Sequence, residues 1–529
     1  MKSNARIKKK IALAMVIWNL GTTIALVGVS GAQAQQRSEL QVLVNEVSLE
    51  GNATYDSETL LGLIASEIGR PMTLKQIQET AERITEFYHQ NGYPLVRVVV
   101  PEQAFGDDRP VRLVVLEGQL GHIGVMGNQR FADRHVIAAL SAAGERPGQP
   151  INLQQVERAL AHLNRRSGIT TEATLRPGTE QGFTDLQIDV KEAPRISGSL
   201  QVNNFGSETT GRYRVLPRLT FENLTGRGDE LNAIAMTSLG DGEAWFGYAT
   251  YVTPLNAGGT RLETYASTGN VSVGRDFKAL EIQGDSQSLG LGLHQEQVFS
   301  ARQVLTYSAW LESADLQQSI LDTRVIDDKI RKLRLGAALD SQDLSGSSLL
   351  SLELHQGLGE TLGGMQDDSL DSSRAFAGAD NDFTKLTMSV MRIQRLSPRL
   401  VAVPSLFAQY AFDSVVSGEQ FSVGGANSVK GHPPAVYSGD SGITASLEGR
   451  YDLLADDSRF QLIGSLGHGR IDIRTPVQDQ DDSQAISGAS LGVLATPLPS
   501  LELRLEWGVP LGSRTEDSGY AYAQTQYRF

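Results

Sequence analysis

The sequence contains no cysteine among its 529 residues, which excludes disulfides, thiolate metal sites and cysteine catalysis. Basic residues are outnumbered, with 47 Lys and Arg against 61 Asp and Glu, and the net charge of −14 argues against a nucleic-acid partner. The eight His form no H-x-x-x-H pair, so we expect no metal site and no cofactor. Beyond the N-terminal segment there is no run of about 20 apolar residues, so no transmembrane helix is predicted.

The N-terminal segment predicts a secretory signal peptide over residues 1–34. Basic residues come first, a mostly apolar stretch runs from Ile11 to Val29, and Ala32-Gln33-Ala34 is a small-residue cleavage site. The protein is therefore expected to be exported. The alternative is an uncleaved membrane anchor.

An internal repeat follows. Gly51-Asn52 and the segment 69–79 recur as Gly127-Asn128 and the segment 148–158. In the first copy, Thr73 with Gln76 predicts a capping box at the start of an amphipathic helix. The apolar face of this helix consists of Leu74, Ile77, Ala81, Ile84 and Tyr88. In the second copy, Asn152 predicts a cap before an apolar face formed by Leu153, Val156, Leu160 and Leu163.

Each copy predicts a small β-α-α-β-β domain with a three-stranded sheet, over residues 41–118 and 119–194. The strands predicted in the first copy are Val42–Leu49, Leu95–Val100 and Val111–Leu116.

From about Arg195 onward, apolar and polar residues alternate with a period of two. Leu501 to Trp507 shows this most clearly, with apolar residues at odd and charged residues at even positions. Short turns, such as those expected at Ser397-Pro398 and Thr496-Pro497, contrast with long polar connections such as 363–382. This pattern is typical of an outer-membrane barrel, and the length of residues 195–529 predicts about 16 strands. A secreted array of β-sandwiches is the soluble alternative.

The sequence resembles the two-partner secretion transporters, the TpsB family with ShlB and FhaC as named members. The resemblance rests on stretches in both parts of the chain: Tyr88–Pro94, Leu116–Gly118, Asn203–Gly206, Gly418–His432 and Ser438–Gly442. In this family the periplasmic repeats are called POTRA domains. The resemblance implies a membrane all-β fold, in which a barrel of about 16 strands follows two periplasmic α+β POTRA domains.

The function that this resemblance implies is that of an outer-membrane pore of a Gram-negative cell, not an enzyme. Such a transporter binds an unfolded TpsA-like exoprotein, of the haemolysin or adhesin type, through its POTRA domains and passes it through the lumen. The sheets at Leu95–Val100 and Leu186–Val190 are candidate edges for adding an extended partner strand; the alternative is that both edges are covered. The terminal aromatics Tyr527 and Phe529 are expected to serve as the signal that the barrel assembly machinery reads for insertion into outer-membrane lipid.

The family's sixth extracellular loop folds into the barrel, and an Arg in its V-R-G-Y/F tip pairs with an Asp on a lumen strand. Here the corresponding tip is Val429-Lys430-Gly431-His432. The docking strand has Gly467 and Gly469, with Gly467 at the position of the Asp. Because Lys is a point charge and Gly has none, the family's latch is absent in that form. We expect the loop still to enter the lumen and Lys430 to pair with another carboxylate.

Several alternatives remain at this stage. An insertase of the related outer-membrane assembly superfamily usually has more POTRA copies, and a passive porin has none. Gly488-Ala-Ser490-Leu-Gly492 fits a hydrolase nucleophile elbow, but it lies in an alternating strand. Arg227-Gly228-Asp229 is expected to be a periplasmic turn and not an adhesion motif.

Overall fold

The computed structural model describes residues 41–106, 109–240, 242–366, 369–455, 457–512 and 519–529. The predicted signal peptide, residues 1–34, lies outside these ranges. No helix in the described part of the chain combines the length and apolar character needed to cross a bilayer.

The first α+β unit has two small sheets and two helices. Its elements are β1 (Gln41–Val44), β2 (Val47–Glu50), α1 (Ser57–Gly62), β3 (Arg70–Thr73), α2 (Leu74–Gln90), β4 (Arg97–Val99) and β5 (Val111–Leu116). The three-stranded sheet has the order β2-β5-β4, with β2 parallel to β5, and β1 pairs with β3 in a separate antiparallel ladder. The single first strand predicted over Val42–Leu49 is therefore wrong, because the chain divides it between two sheets.

The predicted capping box of α2 is confirmed. The side chain of Thr73 accepts from the amide of Gln76 at 3.3 Å, and the side chain of Gln76 accepts from the amide of Thr73 at 2.8 Å. Ile77, Ala81, Ile84 and Tyr88 are buried in the core of the unit, as the helical period predicts. Leu74 is 50% exposed, because it stands at the first position of the helix, outside this core.

The second unit repeats this arrangement. It contains β6 (Gln119–Met126), α3 (Asp133–Ala143), α4 (Leu153–Leu163), β7 (Ile169–Pro177) and β8 (Phe183–Glu192), with the sheet order β6-β8-β7. The predicted cap Asn152 accepts from the amides of Gln154 and Gln155 at 3.0 and 3.2 Å. Val156, Ala159 and Leu163 form the buried face of α4.

The repeated Gly-Asn pair has the same structural role in both units. Gly51 and Gly127 have positive φ, and a Cβ on either would overlap the carbonyl of the last sheet strand. Asn52 and Asn128 donate to the carbonyls of Tyr55 and Phe131 at 2.9 and 2.6 Å. The sequence repeat therefore encodes one turn that is used twice.

A carboxylate at the end of the last sheet strand ties down this turn in each unit. Glu117 accepts from the amide of Thr54 at 3.0 Å and from the hydroxyl of Tyr88 at 2.8 Å. Glu192 accepts from three successive amides, those of Gln129, Arg130 and Phe131. Burial alone would raise the pKa of Glu192, but these amides and the Arg130 guanidinium lower it to about 2.

The two units are joined through the ends of their helices. The amide of Leu153, at the start of α4, donates to the carbonyl of Gly92, just after α2, at 2.8 Å. The side chain of Asn152 donates to the carbonyl of Asn91 at 3.1 Å. Carbonyls left free at one helix end thus meet amides left free at another.

Within the described residues, sixteen antiparallel strands close into a barrel, as the sequence predicts. They are β9 (Ile196–Asn203), β10 (Tyr213–Glu222), β11 (Glu230–Leu239), β12 (Glu243–Pro254), β13 (Thr260–Ser272), β14 (Gln283–Ser300), β15 (Gln303–Ile320), β16 (Thr323–Gln342), β17 (Gly346–Gly357), β18 (Thr384–Arg395), β19 (Leu400–Ala411) and, after the loop hairpin β20 (Phe421–Val423) and β21 (Tyr437–Gly439), β22 (Ser441–Leu454), β23 (Asp457–Asp472), β24 (Ser483–Leu498), β25 (Leu501–Leu511) and β26 (Tyr520–Arg528). β9 pairs with β26 to close the ring.

Alternation along the strands separates the lipid face from the lumen. On β25, Leu505 and Trp507 are exposed on the outer face, whereas Glu506 is buried on the inner face among the loop contacts described below. The connections at the near end, which faces the two α+β units, are all short. The long connections lie at the far end, which also has short connections after β11 and β15. Thr496-Pro497 is not a turn as predicted, because β24 continues through it across a register shift.

Three of the long connections matter for the lumen. They are called loop 5 (358–383), loop 6 (412–440) and loop 7 (473–482).

Candidate functional site

Loop 6 lies against the inner wall of the barrel. Its two short strands, β20 and β21, pair antiparallel and project the segment 424–436 as a tip. Val429 in this tip is fully buried in a cluster with Phe421 and Val423 of the loop and Ile471 and Ile486 of the wall. The loop is therefore anchored on β23 and β24 by apolar packing as well as by charge.

Lys430 lies next to the Val429 cluster and is paired with two carboxylates. Its Nζ lies 2.7 Å from Glu506 Oε2 on β25 and 3.6 Å from Glu448 Oε2 on β22. Arg504 forms ion pairs with both carboxylates, and Arg450 lies 2.7 Å from Glu448. The carboxylates that Lys430 contacts therefore come from β22 and β25, not from the Gly467 position on β23.

Gly431 and His432 fix the turn of the tip through backbone contacts. Gly431 has φ +93°, a conformation that favours glycine, and its Cβ position is filled by Val509. The hydroxyl of Tyr522 accepts from the amide of Gly431 at 3.0 Å and donates to the carbonyl of His432 at 3.3 Å. The Nε2 of His432 lies 2.8 Å from the carbonyl oxygen of Ser487.

Glycines on the wall make room for the tip, but to different degrees. A Cβ on Gly488 would overlap the carbonyl oxygen of Lys430, and one on Gly469 would lie 3.0 Å from Val429. At Gly467, the position singled out in the sequence, the nearest atoms would be 3.6 Å away. Gly488 thus governs the approach of the loop most directly, a role that was not predicted from the sequence.

The motif that imitates a nucleophile elbow belongs to this same network. Ser490 lies within strand β24, and its hydroxyl donates to Glu506 at 2.8 Å. The strand-to-helix turn that an elbow requires is not present at this position.

A second anchor, not predicted from the sequence, holds the start of loop 6. Glu419 is buried between Lys332 of β16 and Lys385 of β18, at 2.6 and 2.7 Å. Here the loop supplies the carboxylate and the wall supplies the cations, the reverse of the arrangement at Lys430. The alternation of charged residues on β16 was the available signal, but the partner strand was not predictable.

Asp440 joins three loops at the end of loop 6. Its side chain is fully buried, forms an ion pair with Arg374 of loop 5, and accepts from the amides of Val415 and Arg474 at 2.9 Å each. Arg474 belongs to loop 7. The stretch Ser438–Gly442 was singled out in the sequence, and Asp440 is the residue in it that carries these contacts.

The second α+β unit contacts the near end of the barrel directly. Arg165 Nε donates to Glu296 of β14 at 2.8 Å, and Arg261 of β13 lies 3.2 Å from the same carboxylate. The amide of Ser167 donates to the carbonyl of Gly228 at 3.2 Å. Arg166 of this unit also donates to the carbonyl of Arg227 at 3.3 Å, so the Arg227-Gly228-Asp229 turn is a docking point between the barrel and this unit. The buried Asp229 holds the turn from within the barrel by bonding Thr225 and Tyr251.

The two segments predicted to offer sheet edges lie at different positions in their sheets. Leu186–Val190 lies in β8, the central strand of its sheet, so it offers no edge. β4, within Leu95–Val100, is an edge strand, but the hydroxyl of Thr85 in α2 accepts from the amide of Val98 at 3.0 Å. His89 of α2 also lies 3.0 Å from the carbonyl of Val96. Helix α2 therefore covers much of this edge.

The aromatic C-terminus lies at the near end of the closing seam. Phe529 exchanges two backbone hydrogen bonds with Gly198, both 3.0 Å long, and its ring lies 6.3 Å from that of Tyr527. Both rings are largely exposed. Their role as an assembly signal stays a prediction.

Comparison with known proteins agrees with this architecture. A family model described as haemolysin secretion/activation protein ShlB/FhaC/HecB matches residues 182–495, and one described as POTRA domain, ShlB-type, matches residues 42–118. The chain is 23% identical over 429 residues to the heme/hemopexin transporter protein HuxB of Haemophilus influenzae (strain 86-028NP), covering 79% of this chain and 74% of the relative. It is 26% identical over 442 residues to the outer membrane transporter CdiB of Dickeya dadantii (strain 3937), covering 77% and 75%.

The solved structure of CdiB from Escherichia coli has the same fold, with a TM-score of 0.77 at 18% identity, over 95% of this chain and 93% of that one. The family match covers more than half of the chain and favours secretion over the insertase alternative. The chain belongs to the ShlB/FhaC/HecB family of haemolysin secretion/activation proteins, and it is an outer-membrane transporter for a secreted partner protein, with its POTRA units in the periplasm.

Proposed function

We propose that this transporter exports one large exoprotein of the haemolysin or adhesin type and that loop 6 is the gate of its pore. The observation that carries the proposal is the salt bridge of 2.7 Å between Lys430 at the loop tip and Glu506 on the lumen wall. A loop packed inside the barrel occupies space that a passing chain needs. The Lys430 contact must therefore break, or the loop must shift, during export.

The partner is expected to dock on the second POTRA unit before it enters the barrel. β7 is an edge strand of nine residues, and Asn164 closes only its first part by bonding the amide and carbonyl of Thr171. The rest of β7 has no neighbouring strand on its outer side within the described residues. Main-chain groups there can pair with an extended segment of the partner.

The proposal needs neither catalysis nor a cofactor, since folding of the partner outside the cell supplies the driving force. Insertion of the transporter into outer-membrane lipid is assigned to the barrel assembly machinery, which would read the C-terminal Tyr527 and Phe529.

A comparison of secreted proteins tests this function. Cells that carry the wild-type chain, a Lys430→Met variant or a deletion of residues 41–117 are compared for proteins in the medium and in the outer membrane. The deletion should remove one large protein from the medium and leave the outer-membrane profile unchanged. A general loss of outer-membrane proteins would instead indicate an insertase.

A matched control separates the gate from a nonspecific loss of charge. Lys278, an exposed residue in a different far-end loop, is replaced by methionine in parallel. Lys278→Met should export normally, whereas Lys430→Met should alter export of the same single protein. Equal export by all three full-length chains would contradict a gating role for Lys430.

A further inference from the structure

One part of the lumen wall is apolar and aromatic. On β12, Phe246 and Tyr248 occupy alternate positions, and the register places them beside Met236 and Ile234 of β11. Tyr265 of β13 follows next to them, with its ring 5.7 Å from that of Tyr248. These five side chains are called the aromatic wall.

The aromatic wall faces the lumen and not the lipid. The hydroxyl of Tyr265 donates to Glu312 at 3.1 Å, and Glu312 lies 3.7 Å from Lys332. Lys332 in turn bonds Glu419 of loop 6, which lies inside the barrel. Since strand neighbours in register share a face, Phe246 and Tyr248 point the same way as Tyr265.

Glycines let these rings lie flat. A Cβ on Gly290 would overlap the ring of Tyr265, and one on Gly269 would lie 3.2 Å from the ring of Phe246. Phe246 and Tyr248 are stacked at 6.5 Å with an angle of 14° between their planes. The rings of Phe246 and Tyr248 are therefore nearly parallel, and those of Phe246 and Tyr265 lie over glycine backbone of the neighbouring strand.

The position of the aromatic wall suits a passing chain. The tip of loop 6 contacts β23 to β26, which lie four to eight strands around the sixteen-strand ring from β12 and β13 and so leave these two strands uncovered by the tip. Toward the near end, the lumen face of β13 passes from Tyr265 through Glu263 to Arg261, which shares Glu296 with Arg165 of the second POTRA unit. The aromatic wall thus lies four residues along β13 from the junction where a partner bound to that unit would enter.

We infer that the aromatic wall is the surface along which the unfolded partner polypeptide slides, with Phe246, Tyr248 and Tyr265 contacting its apolar side chains. This inference rests on the proposed export function. The five side chains of the wall are half-buried, so part of each remains open to the lumen. Apolar surface open to a wet channel marks a binding surface, and aromatic rings accept many side chains without demanding one sequence. An unfolded chain offers apolar side chains that a folded protein would hide.

Single-channel recordings in planar bilayers test the inference with the full-length protein. The probes are two unfolded synthetic peptides of equal length and charge, one carrying regularly spaced Phe and Val, the other carrying Ser at those positions. In the wild type, the Phe/Val peptide should block the open channel for longer than the Ser peptide. The double variant Phe246→Ser/Tyr248→Ser should shorten the Phe/Val blockade about tenfold, as expected for the loss of two ring contacts.

Controls keep the result interpretable. Tyr307, an exposed tyrosine on the lipid face of β15, provides the matched variant Tyr307→Ser, which should behave as the wild type. Heat-modifiable gel migration verifies that each barrel is assembled.

Two results would overturn the inference. One is an unchanged Phe/Val blockade in the double variant; the other is a wild-type channel that a neutral oligosaccharide blocks while the Phe/Val peptide does not. If neither peptide enters the wild-type channel and no partner is exported, the proposed function itself fails. If the wild type and the double variant are blocked alike, export stands and only the aromatic wall is wrong.

Discussion

Replacing Lys430 with methionine should release loop 6 from the barrel wall. Methionine keeps the apolar stem and removes the ammonium that lies 2.7 Å from Glu506. The side chains of Lys430 and Glu506 are only 12% and 2% exposed, so the pair is largely shielded from water. Glu506 retains two other donors, Arg504 and the hydroxyl of Ser490.

The size of the effect follows from these surroundings. Removing one partner of a buried ion pair costs about 3–5 kcal/mol when the other charge is left uncompensated. Here a polar cavity of ≈ 230 Å³ adjoins Lys430, Glu448 and Glu506, and it is large enough to admit water beside the carboxylates. The loss should therefore resemble that of a charged hydrogen bond, about 1.5–3 kcal/mol, which shifts the balance between inserted and released loop about 10- to 150-fold.

Channel recordings of the purified protein in planar bilayers measure this shift as open probability. Arg450→Met is the matched control, because Arg450 also pairs with Glu448 but belongs to the wall and not to the loop. Glu506→Gln and the double variant Lys430→Met/Glu506→Gln complete a double-mutant cycle. The effects of the two single substitutions on open probability should be strongly non-additive, because both remove the same ion pair. An open probability for Lys430→Met within twofold of the wild type, or an equal rise in Arg450→Met, would refute the reasoning.

Three further predictions concern glycine, the loop junction and pH. Gly488→Ala should displace the loop tip and raise channel opening, whereas Gly467→Ala should be tolerated, since its Cβ meets nothing closer than 3.6 Å; open probability of both variants checks this. Asp440→Asn should detach loop 5 from loops 6 and 7 and speed proteolytic cleavage within loop 5, with the exposed Asp371→Asn as control. In the second POTRA unit, Glu192 has a pKa of about 2, below its usual value near 4.5, so the stability it contributes is present above pH 4.5 and is lost as the pH falls toward 2. Burial raises the pKa of Glu145 to about 7, so the stability that its neutral carboxyl contributes is lost as the pH rises from 4.5 to 7. Glu145→Gln should therefore slow hydrogen exchange of α4 in the intact protein at pH 8 and leave it unchanged at pH 4.

Local signals predicted the elements well. Thr73 with Gln76 located the start of α2, and the Gly-Asn pairs located the repeated turn, because each depends on residues close in sequence. Period-two alternation, as in Leu501 to Trp507, predicted the barrel and its lipid face, since a strand must place alternate side chains in lipid and water.

Pairings between distant segments were not predictable. Lys430 pairs with Glu448 and Glu506, and nothing in the sequence indicates which lumen carboxylate the loop tip reaches. Strand order was equally unpredictable. The residues of Leu186–Val190 do not distinguish a central strand from an edge strand, and this segment lies in the central strand of its sheet. The splitting of Val42–Leu49 between two sheets depends on β3, a strand of four residues with a proline that propensity does not favour.

Helix α4 acts as a rigid connection between the first POTRA unit and the near end of the barrel. At its start, Asn152 and Leu153 donate hydrogen bonds to the carbonyls that follow α2. Just beyond its last turn, Arg165 binds Glu296 and Ser167 donates to the carbonyl of Gly228. Eleven residues at 1.5 Å each make a rod of about 16 Å, too short to bend appreciably. A force applied to the first POTRA unit should therefore reach the near end of the barrel as a displacement or a tilt, and should not be absorbed by a flexible linker.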